Sequence, residues 1–196
     1  MTDRETLYTG LSRAAWGYFL LHVDFNLGTV SILPAFAGYL MLLSACEKLS
    51  GERRDLALLR PLCILLAVWN GVGWLFSWVG ADPGGLFPPL DVILTVANLY
   101  FHFQFLTDMA ALAETYQPEE GDLDRRLRRR RTVYIVLLTA AFALLYLPAG
   151  RFQEQRAYVL VALAVVLVLT ALFLMAGLFE LRRCFRKEET NQPSEP

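Results

Sequence analysis

The chain has 196 residues, of which 56% are hydrophobic and only 19% charged, with a formal net charge of −1. Soluble domains carry about 25% charged residues; here the charges sit between long uncharged runs, the distribution expected when the solvent is hydrocarbon. The balanced net charge excludes recruitment of a partner by bulk charge. Three cysteines (Cys46, Cys63, Cys184) without ligand spacing make no zinc site.

The N-terminus lacks the basic region of a signal peptide, so no cleavage is expected. Six helices are then read in chain order, over about residues 5–24, 34–49, 57–79, 88–114, 132–149 and 157–184. Together they form one all-α transmembrane domain over residues 1–187, followed by a polar, proline-bearing tail at 188–196 expected to be disordered. The uncharged runs at 25–46, 61–81 and 157–179 have 22, 21 and 23 residues, and those at 132–150 and 92–107 have 19 and 16. A spanning helix needs about 20 residues.

The first segment is the weakest, because Arg13 interrupts it. Asp24, Asn26 and Gly28 then form a turn, and Pro34 opens the second helix. From Pro34 to Leu49 the helix is roughly 24 Å long, short for a full crossing. The first hairpin therefore either crosses or enters and turns back. In both cases it returns to its own side.

Orientation follows from basic residues. Sixteen of the 18 lysines and arginines fall on one side of this six-helix scheme, leaving only Arg151 and Arg156 on the other. The expected topology places both termini in the cytoplasm and the chain in the inner (cell) membrane. Trp74, Trp78, Tyr146 and Tyr158 mark the outer interface, and Tyr116 and Tyr134 the inner one.

Helices 5 and 6 are apolar scaffold, so a polar centre must come from helices 1 to 4. In helix 4, Asp91, Thr95, Asn98 and His102 form one stripe at helical spacing. Asn70 in helix 3 falls at the depth of Asn98, and an interhelical hydrogen bond between them is expected. The stripe reads either as interhelical glue or as a solute- or proton-binding line ending in His102, which titrates near neutrality when unperturbed. His22, Asp24 and Asn26 cluster at the first turn, as turn chemistry or as an outward-facing ligand site. Arg125, Arg126, Arg128, Arg129, Arg130 and Arg131 form a dense basic run beside helix 5. It reads as a topology anchor and as a surface for anionic lipid headgroups.

No HExxH, GxSxG, P-loop or GxGxxG pattern is present, and no catalytic residue, cofactor or metal is assigned. Nucleic-acid binding is not expected, because the basic run has no interleaved aromatic platform.

The turn Asp24-Phe25-Asn26-Leu27-Gly28, followed by Leu33-Pro34-Ala35-Phe36-Ala37-Gly38-Tyr39, resembles the first hairpin of a group of small clostridial-type bacterial membrane proteins. Their pattern is Asp-x-Asn-x-Gly, then Leu-Pro-Asp-Phe-x-Gly-Tyr; Ala35 stands where the group has Asp. The resemblance covers about 20 residues. It implies a multi-pass fold and no activity. In architecture alone, the chain also resembles the substrate-binding subunits of energy-coupling-factor vitamin transporters, which dock through small residues four apart, as Gly10 and Ala14 are. The function expected first is non-enzymatic, a regulatory or assembly role exercised through lipid or a membrane-protein partner. A small-solute binding or transport subunit comes second and an intramembrane enzyme third; the enzyme would need an acid and a base within about 3 Å of each other.

Overall fold

Helix ends follow local backbone chemistry. The computed structural model describes residues 4–22, 26–27, 30–31, 34–78, 88–118, 121–146 and 153–187. Helix α1 (Arg4–His22) leads to two short antiparallel strands, β1 (Asn26–Leu27) and β2 (Val30–Ser31), paired Asn26 to Ser31 and Leu27 to Val30. Pro34, extended at φ −71° and ψ 132°, then caps α2 (Ala35–Leu49). Its missing N–H costs nothing at a helix start.

Helices α3 (Arg54–Leu58) and α4 (Arg60–Ser77) are almost continuous. Pro61 breaks them, because it has no N–H to donate to the preceding turn. The ladder resumes at Cys63, whose N–H donates to the Leu59 carbonyl at 2.9 Å. Helix α5 (Pro88–Tyr116) follows. A turn at Pro118 and Gly121 separates it from α6 (Leu123–Tyr146), and α7 (Gln153–Lys187) ends the described chain.

Helix α6 starts nine residues before residue 132, where the uncharged run begins. Arginine is a good helix former, so the basic run lies on the helix itself.

The long helices form a closed ring in the order α1, α2, α4, α5, α6, α7, each packed beside the next. Gly17 and Gly38 make the closest crossing, between α1 and α2. A Cβ on Gly17 would lie 3.0 Å from the Gly38 carbonyl oxygen, and one on Gly38 would lie 2.9 Å from that of Gly17. Gly10 and Ala14 are also buried, with Gly10 against Leu49 and Lys48 of α2. Their spacing serves packing within the chain.

The hairpin made by α1 and α2 is shorter than its neighbours. His22, the last residue of α1, meets His102 and Tyr134. Tyr39, near the start of α2, bonds Asn98. From Asn98, α5 runs about 15 Å further to Pro88, and from Tyr134, α6 runs about 18 Å further to Tyr146. The ring is therefore complete only at the end that carries the arginine run, called here the basic end. At the far end α5 to α7 continue past the described ends of α1 and α2, while Phe36 at the start of α2 meets Trp74, three residues from the end of α4.

Among the described residues, three helical stretches are long and apolar enough to cross a membrane: Arg54–Ser77, Pro89–Tyr116 and Gln153–Phe185. Six such helices were expected from the sequence. Two of the other three, α1 and α2, stop short, and α6 spends its first turns on arginines.

Candidate functional site: a buried histidine and tyrosine junction

The chain has two histidines, and the ring of helices brings them together. Tyr18 and His22 lie four residues apart on α1, so they share a face. The His22 Nδ1–H donates to the Tyr18 carbonyl at 2.9 Å. A neutral ring then has Nε2 left as acceptor, and the Tyr134 hydroxyl of α6 donates to it at 2.8 Å. From α5, His102 approaches edge-on, its centroid 5.5 Å from Tyr18, 5.6 Å from His22 and 5.7 Å from Tyr134. Phe105 stacks on Tyr18 from the basic side at 6.0 Å.

His102, Tyr18 and Tyr134 are buried, at 4%, 0% and 4% exposure. Two of their polar atoms, His102 Nδ1 and the Tyr18 hydroxyl oxygen, are enclosed without a hydrogen-bond partner. Each such group costs about 1–3 kcal/mol. A buried polar cluster in a membrane bundle marks a functional site by default, and this one joins three helices at the tip of the short hairpin.

The sequence stripe divides along its length. His102 turns into the junction, and Asn98 accepts from the Tyr39 hydroxyl at 2.8 Å. Thr95, one turn further out, shares a 3.3 Å hydrogen bond with Tyr146 of α6. Asp91 lies partly exposed near the far end of α5. The expected bond between Asn70 and Asn98 is not made. The Asn70 amide donates to its own helix at the Leu66 carbonyl, 2.7 Å away, and α2 brings Tyr39 to Asn98 instead. Of the first-turn cluster, His22 belongs to the junction. Asn26 contributes a strand residue, and Asp24 lies outside the described residues.

The basic run also divides, where a single lipid-facing surface was expected. Arg126 forms ion pairs with Glu180 at 3.0 Å and Asp122 at 2.9 Å, and Arg128 pairs with Glu114. Arg131 donates to the Thr107 hydroxyl at 2.7 Å, with its guanidinium 4.6 Å from the Phe103 ring centroid. These three arginines bind α6 to its neighbours or stiffen its own first turns. Arg130 donates to the Phe173 carbonyl at 2.8 Å, while Arg125 and Arg129 are exposed.

At the start of α6, outside the uncharged stretch, Gln117 Nε2 donates to the Asp124 carboxylate at 2.8 Å and holds its pKa below the usual carboxylate range. The Asp124 N–H returns a bond to Gln117 Oε1 at 3.3 Å, closing the turn.

Sequence reasoning missed the tyrosines and Asp108. Tyr18, Tyr39 and Tyr134 sit on three helices, and nothing in one helix's periodicity says which rings will meet. Asp108 is only 2% exposed and accepts from Gln104 at 3.3 Å through both oxygens. Its signal was a carboxylate with an amide four residues earlier, just past the end of the uncharged run. Among the described residues, no three His, Cys, Asp or Glu side chains gather as a metal site.

No protein-family model, curated protein or solved structure matches the chain. Its class therefore rests on its own geometry: a ring of helices, with three stretches fit to cross a membrane, closed at one end around a histidine and tyrosine junction.

Proposed function

We propose that this chain is an integral protein of the inner (cell) membrane with both termini in the cytoplasm. In this reading α3–α4, α5, α6 and α7 cross, and the α1–α2 hairpin enters from the cytoplasmic side and returns to it, its helices ending short of the far ends of α5 to α7. The far ends of the crossing helices support it. They expose apolar side chains such as Val161 (65%) and Val136 (61%), with Trp78, Tyr146 and Tyr158 exposed near their tips. Hydrocarbon tolerates such a surface; water does not. The 16-to-2 division of basic residues survives unchanged, because a re-entrant hairpin keeps the parity of a crossing pair. The hairpin likeness to the clostridial-type group agrees with this arrangement.

The role proposed is non-enzymatic: regulation or assembly at the membrane, exercised through the cytoplasmic half by contact with anionic lipid or a membrane partner. One observation carries it. The packed core, with the arginine run and its ion pairs, lies at the basic end, where headgroups and cytoplasmic partners are met. Cysteines placed singly at Gly84 and Gln117 should label from opposite faces of oriented vesicles; labelling from one face ends this topology. Anionic lipid should also survive purification in mild detergent. A lipid-free monomer with undiminished stability counts against the role.

A specific observation favours a second reading, an outward-facing small-solute binding or transport subunit. Asp91 and Thr95 lie on the face of α5 that continues past the hairpin tip, and both are partly exposed. Thr95→Cys would then react with a membrane-impermeant thiol reagent added outside, and slow reaction on addition of the solute would identify it. An unreactive Cys there removes this reading. The third, an intramembrane enzyme, has an acid and base pair at the needed distance in Tyr134 and His22, but enclosed among aromatic rings.

A further inference from the structure

The basic run leaves two arginines over a groove that neither the junction nor the ion pairs use. Arg129 and Arg130 of α6, with Thr170 and Phe173 of α7 and Val133 below, line a cavity of about 320 Å³ between the two helices. Its position is set by the helix pair. Gly177 lets α7 approach Leu127 so closely that a Cβ there would lie 2.8 Å from the leucine side chain. The cavity opens a turn beyond that contact. Arg130 lies along the floor, its guanidinium 5.4 Å from the Phe173 ring centroid and bonded to that residue's carbonyl.

The charges around the groove do not cancel. Arg126 and Arg128 are spent on Glu180, Asp122 and Glu114. Arg129 and Arg130 have no ion pair among the described residues. Two adjacent guanidiniums make an anion site, because guanidinium forks suit phosphate oxygens; the Thr170 hydroxyl is spent on the Val166 carbonyl at 2.8 Å. The apolar continuation fixes the kind of anion. Outward from the arginines, Val133 and Phe173 line the groove, and helical spacing continues their faces to Val136, Val166 and Leu169, all exposed. A charged mouth that opens onto an apolar seam matches a phosphate carrying an acyl chain.

We propose that this groove is a binding site for an anionic phospholipid, its phosphate on Arg129 and Arg130 and an acyl chain along the α6–α7 seam. The proposal rests on the membrane reading above and deepens it. It narrows lipid contact from a whole arginine run to one groove and two arginines. The remainder of the run holds the fold.

The test titrates the purified full chain with nanodiscs of phosphatidylglycerol in phosphatidylcholine, and with phosphatidylcholine alone. Arg129→Gln/Arg130→Gln should weaken phosphatidylglycerol binding by about tenfold or more, because both guanidiniums bond the one phosphate. Arg54→Gln/Arg125→Gln removes the same charge elsewhere and should bind like the wild type. Val133→Trp fills the groove without touching charge and should weaken binding too. Val133 is 46% exposed, so the substitution leaves the core intact. Equal losses in the two arginine pairs overturn the groove while leaving lipid contact in place. Loss of all preference for phosphatidylglycerol in the wild type overturns both the groove and the lipid role. Millimolar inorganic phosphate should not displace the lipid; if it does, the site is for a free anion and the proposal fails. An unchanged melting curve and elution profile for each variant ties its result to the site.

Discussion

At the basic end, α1, α5 and α7 bury Tyr18, Phe105 and Leu174 completely, whereas at the far end the described parts of α4 to α7 bury Leu94 alone. The helices of the far end also serve the basic end. The two ends differ in the number of neighbours. At the basic end α7 has α6 on one side and α1 on the other; past the hairpin tip, α6 is the helix beside it. Between Gln153 and Thr170 its half-covered positions, Leu160, Leu163 and Leu167 among them, recur every three or four residues, which marks a single packed stripe. Apolar composition thus does two jobs in one chain. It packs against protein where the ring is closed, and it meets solvent where the ring is open.

The comparison predicts very unequal mutational costs. Phe105→Ala, which removes a fully buried ring stacked on Tyr18, should destabilise by about 3–5 kcal/mol. Val161→Ala at the far end, 65% exposed, should change stability by less than about 0.5 kcal/mol. Unfolding in mixed detergent micelles reads both. Similar losses at the two sites would mean that the far end is packed in the membrane, by a second copy or by a partner.

Next in size is the hairpin crossing. Gly38→Ala puts a methyl 2.9 Å from the Gly17 carbonyl oxygen, and backbone cannot yield as a side chain can. A loss of about 1–3 kcal/mol is expected. Gly73, with nothing within 4 Å of a built Cβ, should accept alanine without loss. A tolerant Gly38 would show that α1 and α2 stand further apart than this contact requires.

Tyr134→Phe tests the junction itself. It removes the hydroxyl that donates to His22 Nε2 and leaves that nitrogen unpaired, at a cost of about 1–2 kcal/mol. The His22 side-chain nitrogen resonance should shift. A silent resonance would place Tyr134 outside the junction.

How much of this was legible in the sequence depends on what fixed each feature. Helix positions follow from uncharged runs and prolines, which act locally, and Pro34 and Pro61 lie where helices begin. Depth is not local. Residues 35–46 are as apolar as a crossing segment, and only contact with Asn98, ten residues into α5, shows that α2 starts well short of the far end of that helix. The stripe on α5 was legible as a stripe, because helical spacing orders one face. Its partners were not, because a partner is a property of the ring. Equal depth pointed Asn70 at Asn98, and α2 supplied Tyr39 first. The arginine run read as a uniform surface for the same reason: Glu114 and Glu180, which take Arg128 and Arg126, lie 14 and 54 residues away.

The smallest expected effect lies at the turn that starts α6. The Asp124 carboxylate is held below its ordinary pKa first by Gln117 Nε2 and then by the neighbouring backbone and arginines. A depressed carboxylate stabilises the fold fully above its unfolded pKa, about 3.9. That contribution is lost as pH falls through the lower, folded value. Between pH 5 and pH 8 this group should therefore leave stability flat, and below about pH 4 it should draw stability down. Gln117→Ala removes the leading cause, so it should lower stability slightly at neutral pH and make the acid loss shallower. Acid titrations of wild type and variant, followed by tryptophan fluorescence, would show this as curves that converge at low pH. Parallel curves would mean that the turn makes no pH-dependent contribution to holding α6 in the ring. Charge at the basic end would then act through the Arg126 and Arg128 ion pairs and not through this turn.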